Sequence, residues 1–330
     1  MKRFGNLFED TFSKENLFSA YIEARRGKRT KAACFEFEKT LGLNLKNLRD
    51  ELLSEMYVLR PYYTFEINDP KPRVIHAPAF RDVIVQHAIY RVIYPIFDKT
   101  FIETSFACRK GKGTHRCADY VQQSMRHYSN DFYNVHLDIR KFFYSIDREI
   151  LFKQIKRKIK DPRLLDVIHK FIGHPDAFGV PIGNLLSQLF ALIYLNPVDH
   201  FVKRFLKVTH YARYVDDMIL IGLSKEYSNE CAVRIEEFVH EHLNLSLSKS
   251  SISKMNRGLN FVGYRTWKSK RFVRRHSLFK FSKALKKENI NSLNSLMSHA
   301  RKTASFWHYC SRIRQEKPEL INHLPLFLGS

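Results

Sequence analysis

Apolar residues recur at helical spacing along 81–97, where Val85, Ala88, Ile89, Val92, Ile93 and Ile96 fall on one face. The same period predicts helices at 7–24, 43–59, 184–202 and 226–243; the third contains Pro197, and the last runs through Cys231, Ile235, Phe238, Val239 and His242. Shorter apolar runs bounded by turn residues predict strands at 62–67 and 73–77, around Asn68-Asp69-Pro70-Lys71-Pro72. Further strands are expected at 134–139, at 210–214 and 218–222 as a tight hairpin, and at 245–252 and 260–264. Strands alternating with helices around a central hairpin predict an α+β layer rather than a doubly wound parallel sheet.

Residues 268–302 break the pattern with eleven Lys and Arg against one acid, Glu288, and predict a separate basic helical lobe that grips a backbone. The whole chain shares this bias. It has 56 Lys and Arg against 33 Asp and Glu, a formal charge of +23 on 330 residues. Such an excess opposes a compact state unless a polyanion neutralises it, and nucleic acid does so with release of counterions. The run 25–31, five basic residues in seven, fits either a solvated loop or a phosphate contact.

A hydrophobic content of 44% allows a sizeable core in two or three subdomains. No apolar run approaches the roughly eighteen uninterrupted residues of a membrane span, and no export signal follows Met1-Lys2-Arg3. The five cysteines, Cys34, Cys108, Cys117, Cys231 and Cys310, are scattered, which fits a reducing cytoplasm rather than a disulfide framework. Cys108, His115 and Cys117 lie close together, but no second ligand pair for zinc follows, and ordinary buried side chains explain them better.

Chemistry enters through acids placed inside apolar surroundings. Asp138 stands at the end of the apolar strand Val135-His136-Leu137-Asp138-Ile139, where Ile139 could add a backbone carbonyl ligand. Asp216 and Asp217 sit at the tip of the hairpin Tyr211-Ala212-Arg213-Tyr214-Val215-Asp216-Asp217-Met218-Ile219-Leu220-Ile221. Two adjacent carboxylates repel and resist burial unless a cation lies between them. Magnesium, or manganese in its place, needs such hard oxygen ligands. Two ions so held would activate a hydroxyl and carry a triphosphate.

Tyr214-Val215-Asp216-Asp217 resembles the Tyr-x-Asp-Asp box of reverse transcriptases, and Asp138 with Phe142 and Phe143 resembles their first acidic motif. The similarity runs in the family's order over about 57–267. It implies a right-hand polymerase with an antiparallel palm sheet: N-terminal helices and fingers at 1–130, palm at 131–267, and a small basic helical thumb at 268–330. It also implies two Mg2+ ions on Asp138, Asp216, Asp217 and the Ile139 carbonyl, an RNA template, an RNA/DNA duplex and deoxynucleotide substrates.

Further roles follow from the same resemblance. Lys71 and Arg73 match the fingers residues that hold the incoming triphosphate, as guanidinium suits phosphate; alternatively they are solvated turn charges. Phe143 matches the aromatic that excludes a 2′-hydroxyl, or else is plain core. Ile182 and Gly183 fall at the nucleotide, and Ser187, Gln188 and Tyr214 at template and primer. Lys249 matches a lysine proposed as general acid to the leaving pyrophosphate. Gly263 lies in a segment resembling the primer grip, and Arg274 and Arg275 begin the basic lobe.

Bacterial members usually read Gln-Gly-x-x-x-Ser-Pro where this chain reads Ile182-Gly183-Asn184-Leu185-Leu186-Ser187-Gln188. That departure resembles the diversity-generating retroelement group, whose enzymes miscopy adenines of a template RNA and work with a small basic oligomeric accessory protein. Group II intron-like, retron and abortive-infection polymerases are the alternatives within the fold. A non-catalytic RNA-binding protein is the alternative outside catalysis, and three aspartates in place argue against it. The expected location is the cytoplasm of a bacterium or of a phage-infected cell.

Overall fold

The computed structural model describes residues 2–68, 72–173 and 179–325. Its elements in chain order begin with helices α1 (Phe8–Thr11), α2 (Lys14–Ala24), α3 (Ala32–Lys39) and α4 (Leu41–Leu53). Strands β1 (Tyr63–Asn68) and β2 (Pro72–Ala77) lead into α5 (Phe80–Asp98) and α6 (Thr114–Arg126). After β3 (Tyr133–Ile139) come α7 (Phe142–Ser145), α8 (Arg148–Lys156), α9 (Pro162–Ile172) and α10 (Leu185–His200), the last continued by a π turn at Phe201–Phe205. Then follow β4 (His210–Tyr214), β5 (Asp217–Leu223), α11 (Lys225–Leu243), β6 (Leu247–Lys254), β7 (Leu259–Phe261), β8 (Tyr264–Thr266) and β9 (Arg271–Val273). Helices α12 (Arg275–Lys286), α13 (Ile290–Ala300) and α14 (Ser305–Glu316) follow, and then a 3-10 turn at Pro318–His323.

Two compact units are formed. The first comprises Met1–Ile102, Ile139–His200 and Glu237–Ser246; the second comprises Glu103–Asp138, Phe201–Glu236 and Leu247–Ser330. The first unit is mainly helical. Ile84, Val85, Ala88, Ile89 and Ile93 of α5 are buried, as are Leu189, Phe190 and Ile193 of α10, and the two helices pack together. Each of the Val, Leu, Ile and Phe side chains taken fully from water stabilises the unit by roughly 1.5–3 kcal/mol. One side chain starts two helices here: Asp161 accepts from Leu164 N–H at the head of α9 and from Leu7 and Phe8 N–H at the head of α1. These are donors that a helix start leaves without backbone partners.

The second unit is built on a four-stranded sheet in the order β4-β5-β3-β6, with β5 antiparallel to both β4 and β3. Residues 218–221 of β5 and 134–137 of β3 are all buried; β5 reads as an unbroken apolar run, whereas β3 alternates Asn134, His136 and Asp138 with Val135, Leu137 and Ile139. A second, three-stranded sheet, β7-β8-β9, is antiparallel throughout.

Several elements differ from the sequence expectation. The helix expected at 7–24 is two, because Ser13 caps a fresh start at α2 by accepting from Asn16 N–H. The helix expected at 43–59 ends at Leu53 and is preceded by an unexpected one, α3. The strand expected at 260–264 is two strands hinged at Val262-Gly263. The basic C-terminal stretch packs its helices around Phe281, Leu293, Met297, Tyr309 and Ile313, and Ala118 of α6 and Tyr264 of β8 join that cluster. Its Arg271 is buried, donating to Asp119 Oδ1, the Ala118 carbonyl and Gln122 Oε1. The helical stretch Leu185–Phe205 is long and apolar enough to cross a bilayer, yet 67% of its most apolar window is buried inside the protein, as in a core helix.

Burial lowers the pKa of His87, His210 and His299, in His299 with a contribution from His115 and in His210 from His127. The unfolded chain, with imidazoles near about 6.5, therefore takes up protons first on acidification. Stability from these groups is complete above that value and is lost as pH falls below it. The melting temperature is expected to drop between pH 7.5 and 5.5 while carboxylates stay ionised. Thermal melts across that window check this, and a flat profile would show that the imidazoles are not held neutral.

Candidate active site

The register of the central sheet places Asp138 directly opposite Asp217 at the end of the β3–β5 ladder, and Tyr214 opposite Asp217 at the end of β4–β5. Val215 and Asp216 form the whole turn between β4 and β5. Val215 has φ +59, a left-handed conformation that such turns give to Gly, Asn or Asp. For a β-branched residue it costs about 1–3 kcal/mol. Arg213 answers for part of that: its side chain is fully buried, and Nη1 donates to the Val215 carbonyl at 2.9 Å. The Arg213 backbone is fixed in turn, its N–H on the Thr104 carbonyl and its carbonyl on Phe106 N–H, both at 3.0 Å. Tyr214 pairs its hydroxyl with Thr114 Oγ1 at 3.1 Å.

Strand β6, beside β3, completes the site. Ser248 donates to the Asp138 carboxylate. Lys249 Nζ lies 2.8 Å from His136 Nδ1, and His136 Nε2 meets Asp217 Oδ1. An ammonium only donates, so Nδ1 accepts and the Nε2 proton points at Asp217. His136, Lys249 and Asp217 thus form one line of hydrogen bonds.

Asp138, Asp217, His136 and Lys249 face a cavity of about 680 Å3 in the second unit. Its other wall carries Arg274, Arg275, Arg265 and Trp267. Arg265 lies 5.1 Å from the Trp267 ring centroid, and Lys270 5.9 Å from the rings of both Trp267 and Phe272. Cations laid on aromatic faces beside carboxylates suit a nucleic-acid strand, whose bases stack and whose phosphates need charge. Gly263, at φ +87, makes the tight turn between β7 and β8.

Other expected site residues lie in the first unit. Arg73 is exposed on β2; Lys71 lies outside the described residues. Phe143 is half-buried on α7, with the core position taken by Phe142, and its carbonyl accepts from Val180 N–H at 2.9 Å. A Cβ on Gly179 would stand 2.1 Å from that carbonyl, so only glycine fits. Ile182 is half-buried and Gly183 exposed. Gln188 is exposed, whereas Ser187 is 1% exposed, which withdraws it from direct template contact. Ile139 ends β3 with its side chain buried.

Sequence reasoning passed over Arg213, Ser248, His136, Arg265 and Trp267. Trp267 had a signal, an aromatic among Arg265, Lys268 and Lys270. His136 had one too, two residues before Asp138 and so on the same strand face.

The sheet, its paired acids and the facing basic wall define a polymerase of the reverse transcriptase class. Residues 68–266 match the family described as reverse transcriptase (RNA-dependent DNA polymerase), and the chain belongs to it. It is similar to Protein YkfC of Escherichia coli, 27% identical over 274 residues covering 68% of this chain and 71% of that protein. It is also similar to Group II intron-encoded protein LtrA of Lactococcus lactis, 24% identical over 356 residues covering 86% of this chain. The chain spans 58% of the length of LtrA. A solved structure of telomerase from Candida albicans with a fragment of telomeric RNA aligns over 81% of this chain and 57% of its own, at 13% identity and a TM-score of 0.48.

Arg213→Met removes the donor that holds the Val215 carbonyl, a charged hydrogen bond contributing about 1.5–3 kcal/mol. The turn is expected to relax and single-turnover primer extension to slow by about tenfold or more. Arg213→Lys should recover little, lacking the planar fork. Extension at the native rate by either variant would detach Arg213 from the active turn.

Proposed function

We propose that the chain copies a template RNA into DNA by two-metal nucleotidyl transfer at Asp138, Asp216 and Asp217. The observation that supports this most is the register that sets Asp138 against Asp217 beside a two-residue turn bearing Asp216. Carboxylate oxygens are the hard ligands that Mg2+, or Mn2+, takes together with substrate phosphates and water. The three carboxylates and the Ile139 carbonyl would hold the ions, which when bound acidify the primer hydroxyl and neutralise the triphosphate.

The protein's own groups do the rest. Lys249 stands over the acids through His136 and supplies a proton toward the leaving pyrophosphate. Arg73, with Lys71, pairs the triphosphate. Phe143 closes the space a 2′-hydroxyl would fill. Arg274 and Arg275 take primer or template phosphates, with Gly263, Tyr214 and Gln188 beside the duplex. Asp138→Ala, Asp216→Ala and Asp217→Ala should each lower extension by several decades, at about 1.4 kcal/mol of barrier per decade, with RNA binding nearly intact. A purified Asp216→Ala protein extending a primer at the native rate would refute the assignment.

The finer reading is a polymerase of the diversity-generating kind, acting in the cytoplasm of a bacterium or phage-infected cell with a small basic oligomeric partner. It is supported by Ile182 and Gln188 standing where bacterial relatives usually place Gln and Pro. An apolar Ile182 offers no hydrogen bond at the nascent pair. One such bond is worth about 0.5–1.5 kcal/mol, roughly two- to tenfold in discrimination. The adenine preference itself is carried by the resemblance alone. A second reading, an intron-encoded enzyme, is favoured by the similarity to LtrA. Ile182→Gln should lower misincorporation opposite template adenine and preserve extension elsewhere, read by deep sequencing of cDNA from one template. Adenine errors that do not move, or fall no more than the others, favour the intron-like reading.

A further inference from the structure

The loop bearing Ile182 and Gly183 is held from outside itself. Gly183 turns at φ +111, and a Cβ there would lie 3.0 Å from Ile75 Cγ2 and 3.3 Å from the His76 carbonyl. The Ile182 carbonyl accepts from His76 N–H at 2.9 Å. Just beyond, the first N–H groups of α10 need acceptors. Asparagine is among the best residues for that task, and Asn184 stands immediately before the helix. Yet Leu185 and Leu186 N–H donate instead to Gln86 Oε1, at 2.9 and 3.3 Å, from the middle of α5. Gln86 is 1% exposed, and its Nε2 donates to Asn184 Oδ1 at 2.8 Å.

The orientation of both amides follows from these partners. A backbone N–H can only donate, so the Gln86 atom facing α10 is oxygen, Nε2 faces Asn184, and the Asn184 atom it meets is oxygen. Burial pushes the phenol of Tyr62 up to about 12. Tyr62 precedes β1, and its ring meets His76 edge-on at 6.2 Å. His76 Nδ1 pairs with the Thr64 hydroxyl at 3.2 Å. The β1–β2 ribbon that bears Arg73 has an entirely exposed first strand, and two-stranded ribbons are marginal alone. Its attachment to the 182–186 loop therefore fixes where Arg73 and Ile182 stand relative to each other.

We infer that Gln86 is a positioning residue for nucleotide selection: by capping α10 and holding Asn184, it sets Ile182 and Gly183 against the ribbon that bears Arg73. The inference rests on the placement of Ile182 and Gly183 at the nascent pair proposed above. Gln86 touches neither nucleotide nor metal. It acts through the loop, where a displacement of about 1 Å is enough to cost rate or selectivity.

The test compares Gln86→Met, Asn184→Ala and the double variant in single-nucleotide extension, with correct and mismatched deoxynucleotides, alongside thermal melts. Gln86→Met keeps length and apolar bulk but makes neither hydrogen bond. The expected result is a KM for the correct nucleotide raised about tenfold, kcat changed by less than about threefold, and an altered misincorporation ratio. The double variant should be no worse than Gln86→Met, because both substitutions cut one connection. Ile89→Val on the same helix is the control, expected to lower the melting temperature without moving KM. A native KM and misincorporation ratio in Gln86→Met overturns the inference, as does an equal KM shift in Ile89→Val. Should Gln86→Met not fold, Asn184→Ala, which leaves the cap in place, is decisive alone, and a native KM there overturns it. Ile182→Gln in parallel keeps the two readings apart. Silence there beside a response in Gln86→Met refutes the placement of Ile182; the reverse refutes the role of Gln86.

Discussion

Asp138 stands opposite Asp217, and the second unit is arranged around that one pairing. Side chains alternate along a strand, so a slip of one residue would send every group on β3 to the other face. Here the slip would bury a carboxylate and expose Leu137. The penalty is large because Val135, Leu137 and Ile139 share one face and are fully buried, while Asn134, His136 and Asp138 share the other. The hydrophobic effect thus fixes the register, and the register fixes the chemistry. With only two residues in the turn, Asp216 has no freedom to stand elsewhere. With β6 alongside, Ser248 and Lys249 are delivered to the same edge of the sheet.

The first unit solves a different problem. The groups proposed to meet the nucleotide, Arg73 and Ile182, are on a thin exposed ribbon and a loop, where burial supplies little. Hydrogen bonds and glycine geometry do the holding instead: Gly179 lets the chain reach the Phe143 carbonyl, and Gly183 lets it reach His76. One unit therefore sets reacting carboxylates by packing, and the other presents Arg73 and Ile182 by directional polar contacts. Directional contacts tolerate small changes of angle that a packed core does not.

Much of this was legible in the chain. The acids declared themselves because a carboxylate at the end of a largely apolar strand contradicts its surroundings, and Asp216 and Asp217 run straight into the apolar stretch Met218-Ile219-Leu220-Ile221. Helix α5 was readable to within a residue at each end from its periodicity. Helix α6 was not, because its buried stripe, Cys117, Ala118, Val121 and Met125, is sparse among polar residues. Strand β9 was hidden by charge: Arg271 occupies a core position that only its partners Asp119 and Gln122 make tolerable, and those come from a distant segment. His136 reads as one more strand residue until the sheet brings Asp217 and Lys249 to its two nitrogens. Local pattern reports burial well, and it reports polar partnerships poorly when the partners are far apart in sequence.

The left-handed Val215 sets a limit on how this enzyme can be made more robust. Replacing it with glycine or asparagine would relieve the backbone, a route that commonly adds thermal stability. The relief would also loosen the only two residues between the strands that present the acids. Heat tolerance and catalytic competence are opposed at this position. A hardier form of the polymerase is better sought on surfaces such as α2 or α4, where no reacting group depends on the outcome.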